Sequence, residues 1–105
     1  MRIIFTILST LLFCFYTFSV YAHSPLCDCF DNGDGSVTCE GGFSDGASAD
    51  GVDIRVLDLQ DKVLLAGKMD SSSSYTFNVP ADEYYVVFDA GKGHLVTIYS
   101  GDIEE

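Results

Sequence analysis

The sequence predicts an all-β chain that forms a single small antiparallel β-sandwich of about seven strands. Three observations lead there. Apolar residues alternate with polar ones at period two in several short runs, the pattern of a strand with one buried face. Clusters of Gly, Asp, Asn, Ser and Pro separate those runs, and such residues turn the chain. Helix start and stop signals of the usual kind are absent.

Taken in order, Leu26 to Phe30 is a short apolar run, closed by the dense turn signal Asp31-Asn32-Gly33-Asp34-Gly35. Ser36 to Phe43 resumes an extended pattern, with Val37, Cys39 and Phe43 on alternating positions, and Ser44 to Gly51 reads as a loop. Val52 to Asp58 alternates apolar and polar with period two and predicts a half-buried strand. Gln60-Asp61-Lys62 turns the chain into a strand over Val63 to Met69, which ends in the polar tip Asp70 to Ser74. Tyr75, Phe77 and Val79 are expected on one face of the next strand. After the turn Pro80 to Glu83, the run Tyr84 to Asp89 is rich in β-branched and aromatic residues. Ala90-Gly91-Lys92-Gly93 breaks the chain before a last strand, His94 to Tyr99, and the acidic end from Gly101 to Glu105 reads as a frayed tail.

The first residues belong to export rather than to the fold. Met1-Arg2 supplies one positive charge, Ile3 to Val20 is apolar apart from single Ser and Thr residues, and Val20-Tyr21-Ala22 ends the stretch. That order is a signal peptide cut after Ala22, which makes residues 1–22 the signal and residues 23–105 the sandwich domain with its short acidic tail. The rival reading is an uncleaved anchor, since the stretch is about long enough to span a bilayer. Phe13 stands where lipid attachment at Cys14 would need a small residue. The destination is therefore periplasmic or secreted.

Charge narrows the partners. Lys and Arg number 5 against 16 Asp and Glu, a formal net charge of -11. Outside the signal the basic residues are Arg55, Lys62, Lys68 and Lys92. Nucleic acid and anionic membrane surfaces are poor partners for such a chain, whereas cations or a basic protein suit it. Solubility alone also accounts for much of this charge.

An exported domain this short is marginal without a covalent or metal staple. Cys27, Cys29 and Cys39 remain after cleavage, and three thiols cannot all pair. A hairpin with residues 31–35 as its tip sets Cys27 opposite Cys39, while a turn shifted by one residue sets Cys29 there instead. Cys27 and Cys29 share a strand face. The alternative keeps thiols reduced as soft metal ligands.

The two histidines extend that alternative. His23 would be the mature N-terminus, with an α-amine and an imidazole on one residue, and His94 follows the glycine-flanked turn Gly91-Lys92-Gly93. A terminal His with a second imidazole suits Cu or Ni, although a lone His at a turn is ordinarily a solvated residue. Catalysis finds no support. Ser71 to Ser74 has no positioned base, and no nucleophile motif is present. The Asp31 to Gly35 turn lacks the ligand order and the closing Glu of a calcium loop. The reading is a binding protein, not an enzyme.

Several segments carry a family resemblance. They are His23 after the cut, Glu40-Gly41-Gly42-Phe43-Ser44-Asp45-Gly46, Val52 to Asp58, Lys62 to Lys68, Tyr75-Thr76-Phe77, and Val86 to His94 with its Ala-Gly-x-Gly-His ending. Together they resemble the small exported accessory domains of bacterial nickel and cobalt importers of the energy-coupling-factor type. The middle part is similar to carboxypeptidase regulatory-like and transthyretin-like sandwiches, so the fold implied is Ig-like or transthyretin-like. The resemblance implies capture or presentation of a divalent metal (Ni, Co) to membrane importer subunits, with His23 and His94 as ligands. Cys27, Cys29 and Cys39 add soft ligands that suit Cu at least as well. A competing reading is a metal-free interaction module.

Cleavage after Ala22 predicts that the exported protein has the intact mass and N-terminal residue of a chain beginning at His23. Recovery of a membrane-bound chain that retains residues 1–22 would identify an anchor instead.

Overall fold

The computed structural model describes residues 23–104 and places a strand on every run that the alternation marks. The strands are β1 (Pro25–Asp31), β2 (Ser36–Phe43), β3 (Asp53–Leu57), β4 (Val63–Lys68), β5 (Ser74–Asn78), β6 (Tyr85–Asp89) and β7 (Leu95–Tyr99). All pair antiparallel, in a three-stranded sheet of order β1-β2-β5 and a four-stranded sheet of order β4-β3-β6-β7. The predicted signal segment lies outside the described residues. No helix among the described residues is long and apolar enough to cross a membrane.

Period-two burial builds the core between the sheets. Val37, Cys39 and Phe77 face inward from the smaller sheet, and Ile54, Val56, Val86 and Phe88 from the larger, all buried. The sheets pack closely at Gly41 and again at Gly67, where Tyr75 takes the space. A Cβ at Gly41 would lie 2.6 Å from Cε2 of Phe88 and 3.1 Å from Cε of Met69, so the absent side chain is the space the ring occupies.

The acidic residues have a structural use that charge counting does not reveal. Asp31, Asp34, Asp45, Asp58, Asp70 and Asp89 each stand at or beside the end of a strand, and each accepts a backbone N–H from two to four residues onward. Asp70, for example, accepts from Ser72 at 2.8 Å and Ser74 at 3.0 Å. These side chains satisfy amides that the sheet ladders leave unpaired.

The hairpin register decides the disulfide. Cys29 lies opposite Cys39 and Asp31 opposite Val37, so the turn is the shifted one of the two the sequence allows. Cys29 and Cys39 form the disulfide. Cys27 faces Gly41 and keeps a free thiol.

Two expectations are corrected. The acidic end is docked rather than frayed. Ser100–Asp102 forms a short 3-10 turn, Ile103 packs against the core, and the Asp31 amide donates to the Glu104 carbonyl at 2.8 Å. Burying Ile103 and satisfying a donor on edge strand β1 outweigh the fraying of a short acidic segment. Val79 does not share the buried face of Phe77; it lies beyond the end of β5 and is exposed.

Removing the staple with Cys29→Ser and Cys39→Ser together should cost about 2–3 kcal/mol, because the bridge closes a short loop of the unfolded chain. Gly41→Ala should cost about 1–3 kcal/mol by overpacking against Phe88. Urea denaturation of the variants measures both losses as lowered midpoints.

Candidate functional site

Strand order brings together the two ends of the domain's sequence. β1 begins and β7 begins at the same end of the sandwich, so His23, two residues ahead of β1, meets His94, one residue ahead of β7. Their ring centroids are 6.1 Å apart and their planes nearly perpendicular, at 83°. The predicted ligands are thus neighbours, although 71 positions separate them in the chain (94 minus 23).

Each ring is held from its own side. His94 sits at the close of a tight turn in which its amide donates to Gly91 O at 2.8 Å and Ala90 N donates to His94 O at 3.0 Å. Gly91 and Gly93 take φ of 113° and 80°, values that other residues rarely adopt. This accounts for the Gly-x-Gly-His pattern in backbone terms. His94 Nδ1 lies 3.2 Å from the Lys92 carbonyl oxygen, which can only accept, so Nδ1 is the donor.

His23 stacks on Phe43, with centroids 4.6 Å apart, and Phe43 in turn contacts Phe88 at 6.2 Å. An aromatic column therefore runs from the core contact at Gly41 out to the histidine pair. His23 Nδ1 is 3.1 Å from Asp45 Oδ2, and the other carboxylate oxygen of Asp45 accepts the Ala47 amide at 3.0 Å. That amide, together with His23, holds the Asp45 carboxyl below its ordinary value against a smaller opposing effect of desolvation, so it is ionised at neutral pH. His23 and Asp45 are about half exposed, at 46% and 51%.

The chemistry open to this arrangement is nitrogen ligation. An imidazole nitrogen holds a first-row ion at about 2.0–2.1 Å, so rings sharing an ion reach their widest centroid separation, about 6 Å, only with the ion close to the line between them. The observed spacing is at that span. The pair offers two protein ligands, and no group of three or more His, Cys, Asp or Glu is arranged to hold an ion among the described residues.

Two of the three candidate cysteines are not thiolates. Cys29 and Cys39 are joined to each other. Burial, with a smaller contribution from the charge of Asp28, pushes the Cys27 thiol up to about 12, so it is protonated at neutral pH. An open groove of about 620 Å³ is lined in part by Cys27, Gly41, Phe43 and Ala47, and neither histidine lines it.

Asp45 and Phe43 are the participants that residue-by-residue reading misses. Asp45 looks like one more turn aspartate, and Phe43 like one more strand aromatic. Comparison with protein-family models, curated proteins and solved structures found no match to the chain.

The protonated, half-buried Cys27 should react slowly with iodoacetamide at pH 8 in the folded protein and fully in denaturant. Rapid labelling of the folded form, followed by intact mass, would contradict its burial.

Proposed function

We propose that the protein is an exported accessory protein that binds a divalent transition ion, nickel or cobalt and alternatively copper, and presents it for uptake. The observation that carries this reading is the 6.1 Å approach of His23 and His94, each with its Nδ1 at an oxygen acceptor. Metal-ligating histidines characteristically donate their other ring N–H to a carboxylate or a backbone carbonyl. His23 does the first and His94 the second. Imidazole nitrogen suits all three ions.

Two protein ligands leave the remaining coordination positions to water or to an acceptor. An ion so held can be handed on without first breaking a closed cage, which fits presentation rather than storage. The membrane importer subunits implied by the family resemblance are the acceptors this reading names. Export is consistent with the Cys29–Cys39 disulfide, a bond that persists in oxidising compartments. The reading assigns no catalytic residues.

A second reading, a metal-free interaction module, rests on the outer face of the larger sheet. Val63, Leu57, Tyr85 and Tyr99 line up across its four strands in register, and Val63 and Tyr99 are about half exposed at 48% and 55%. Tyr85 donates its hydroxyl to Asp61 at 2.6 Å at the edge of this row.

Native mass spectrometry of the exported protein, with Ni, Co, Cu and Zn offered in competition, tests the first reading. One retained ion, lost on His94→Ala and on His23→Ala with the disulfide intact, is the expected outcome. No retained ion from a folded, disulfide-bonded protein would remove the metal reading and leave the interaction module.

A further inference from the structure

An ion at the histidine pair has two ways to engage His23. It can take Nδ1 together with the α-amine of a chain cut after Ala22, or it can take Nε2 alone. The contacts of Asp45 distinguish them. Asp45 Oδ2 lies 3.1 Å from His23 Nδ1, and its Oδ1 is anchored by the Ala47 amide at 3.0 Å in the turn that follows β2. An ionised carboxylate only accepts, so Nδ1 carries the proton and Nε2 the lone pair. The Lys92 carbonyl imposes the same arrangement on His94 at 3.2 Å. Both rings thus hold Nδ1 in a hydrogen bond and keep Nε2 as the nitrogen free to ligate.

Building on the metal-binding reading, we infer that Asp45 is a positioning residue of the site, and that it commits the ion to the Nε2 atoms of His23 and His94 rather than to an amine–Nδ1 chelate. Metal binding then does not require a free α-amine at His23. A chain still carrying residues ahead of His23 is competent to bind, and cleavage governs release of the domain rather than assembly of its site.

Asp45→Asn is the informative variant because it reverses one atom's hydrogen-bonding sense at unchanged size, while also removing the carboxylate's charge. Its amide oxygen still accepts from Ala47, while its NH₂ group faces His23 and can only donate. Nδ1 must then accept, the ring proton moves to Nε2, and the ligating position is blocked. The two modes predict opposite effects, since an amine–Nδ1 chelate gains an unprotonated Nδ1 from the same substitution.

The experiment combines imidazole ¹⁵N NMR of the metal-free exported protein with calorimetric titration by Ni²⁺. It uses the unaltered chain, Asp45→Asn, and a form that retains Ala22 ahead of His23. The expected results are Nδ1–H tautomers at both histidines and conversion of His23 to Nε2–H in Asp45→Asn. Ni²⁺ affinity should fall about 10–100-fold in that variant and stay unchanged when Ala22 is retained. Unchanged or tighter binding by Asp45→Asn, with binding lost on retaining Ala22, would overturn the inference while leaving metal binding in place. No Ni²⁺ binding by the unaltered chain would overturn both.

Discussion

The packing of Phe88 onto the bare backbone of Gly41 is the contact around which this end of the molecule is organised. The two sheets approach there because one strand carries no side chain where the other carries a large ring. Phe88 is fully buried, touches Phe43, and Phe43 carries His23. A small domain buries too little apolar surface to hold exposed side chains rigidly by core packing alone. Here an aromatic column extends the core outward by one residue at a time, so that a half-exposed imidazole inherits its position from the most enclosed ring. The Cys29–Cys39 bridge fixes the same hairpin from its inner face. His94 is placed independently, by a turn whose backbone geometry only glycine accommodates readily.

Electrostatics divides the surface into roles. Much of the acidity serves the turns, where aspartates accept backbone amides at the ends of strands, and Asp45 does this while also meeting His23. On the outer face of the larger sheet the rows run from apolar to charged. Val63, Leu57, Tyr85 and Tyr99 lie at one end, and at the other Lys68 pairs with Asp53 at 2.7 Å while Arg55 pairs with Asp89 at 2.9 Å. The exposed Lys68–Asp53 pair contributes little stability by itself, and the Arg55–Asp89 pair is part-buried. Together they tie up two of the few cations next to the histidine end.

Strands were legible in the sequence because both signals for them are local: alternation marks the buried face, and Asp-Gly turns mark the ends. What lay beyond reach depended on register or on distance along the chain. Two turn placements were equally compatible with residues 31–35, and only the pairing of Asp31 with Val37 selects Cys29 over Cys27 as the partner of Cys39. The docking of Glu104 against Phe30 joins segments 74 residues apart (104 minus 30), so no local pattern announces it, and the acidic composition suggested fraying instead. His23 and His94 stood out as the chain's two histidines, yet their approach follows from topology that places β1 beside β7. Asp45 was hidden in plain view, since a turn aspartate that also orients a histidine has the same local signature as one that does not.

The central claim is that His23 and His94 share one ion through nitrogen alone. X-ray absorption at the nickel edge of the loaded, exported protein tests it most directly. The account predicts a first shell of nitrogen and oxygen only, with outer-shell scattering from two imidazoles. A sulfur neighbour at about 2.3 Å, or the absence of imidazole scattering, would contradict it and move the ion to Cys27 or away from this end of the sandwich.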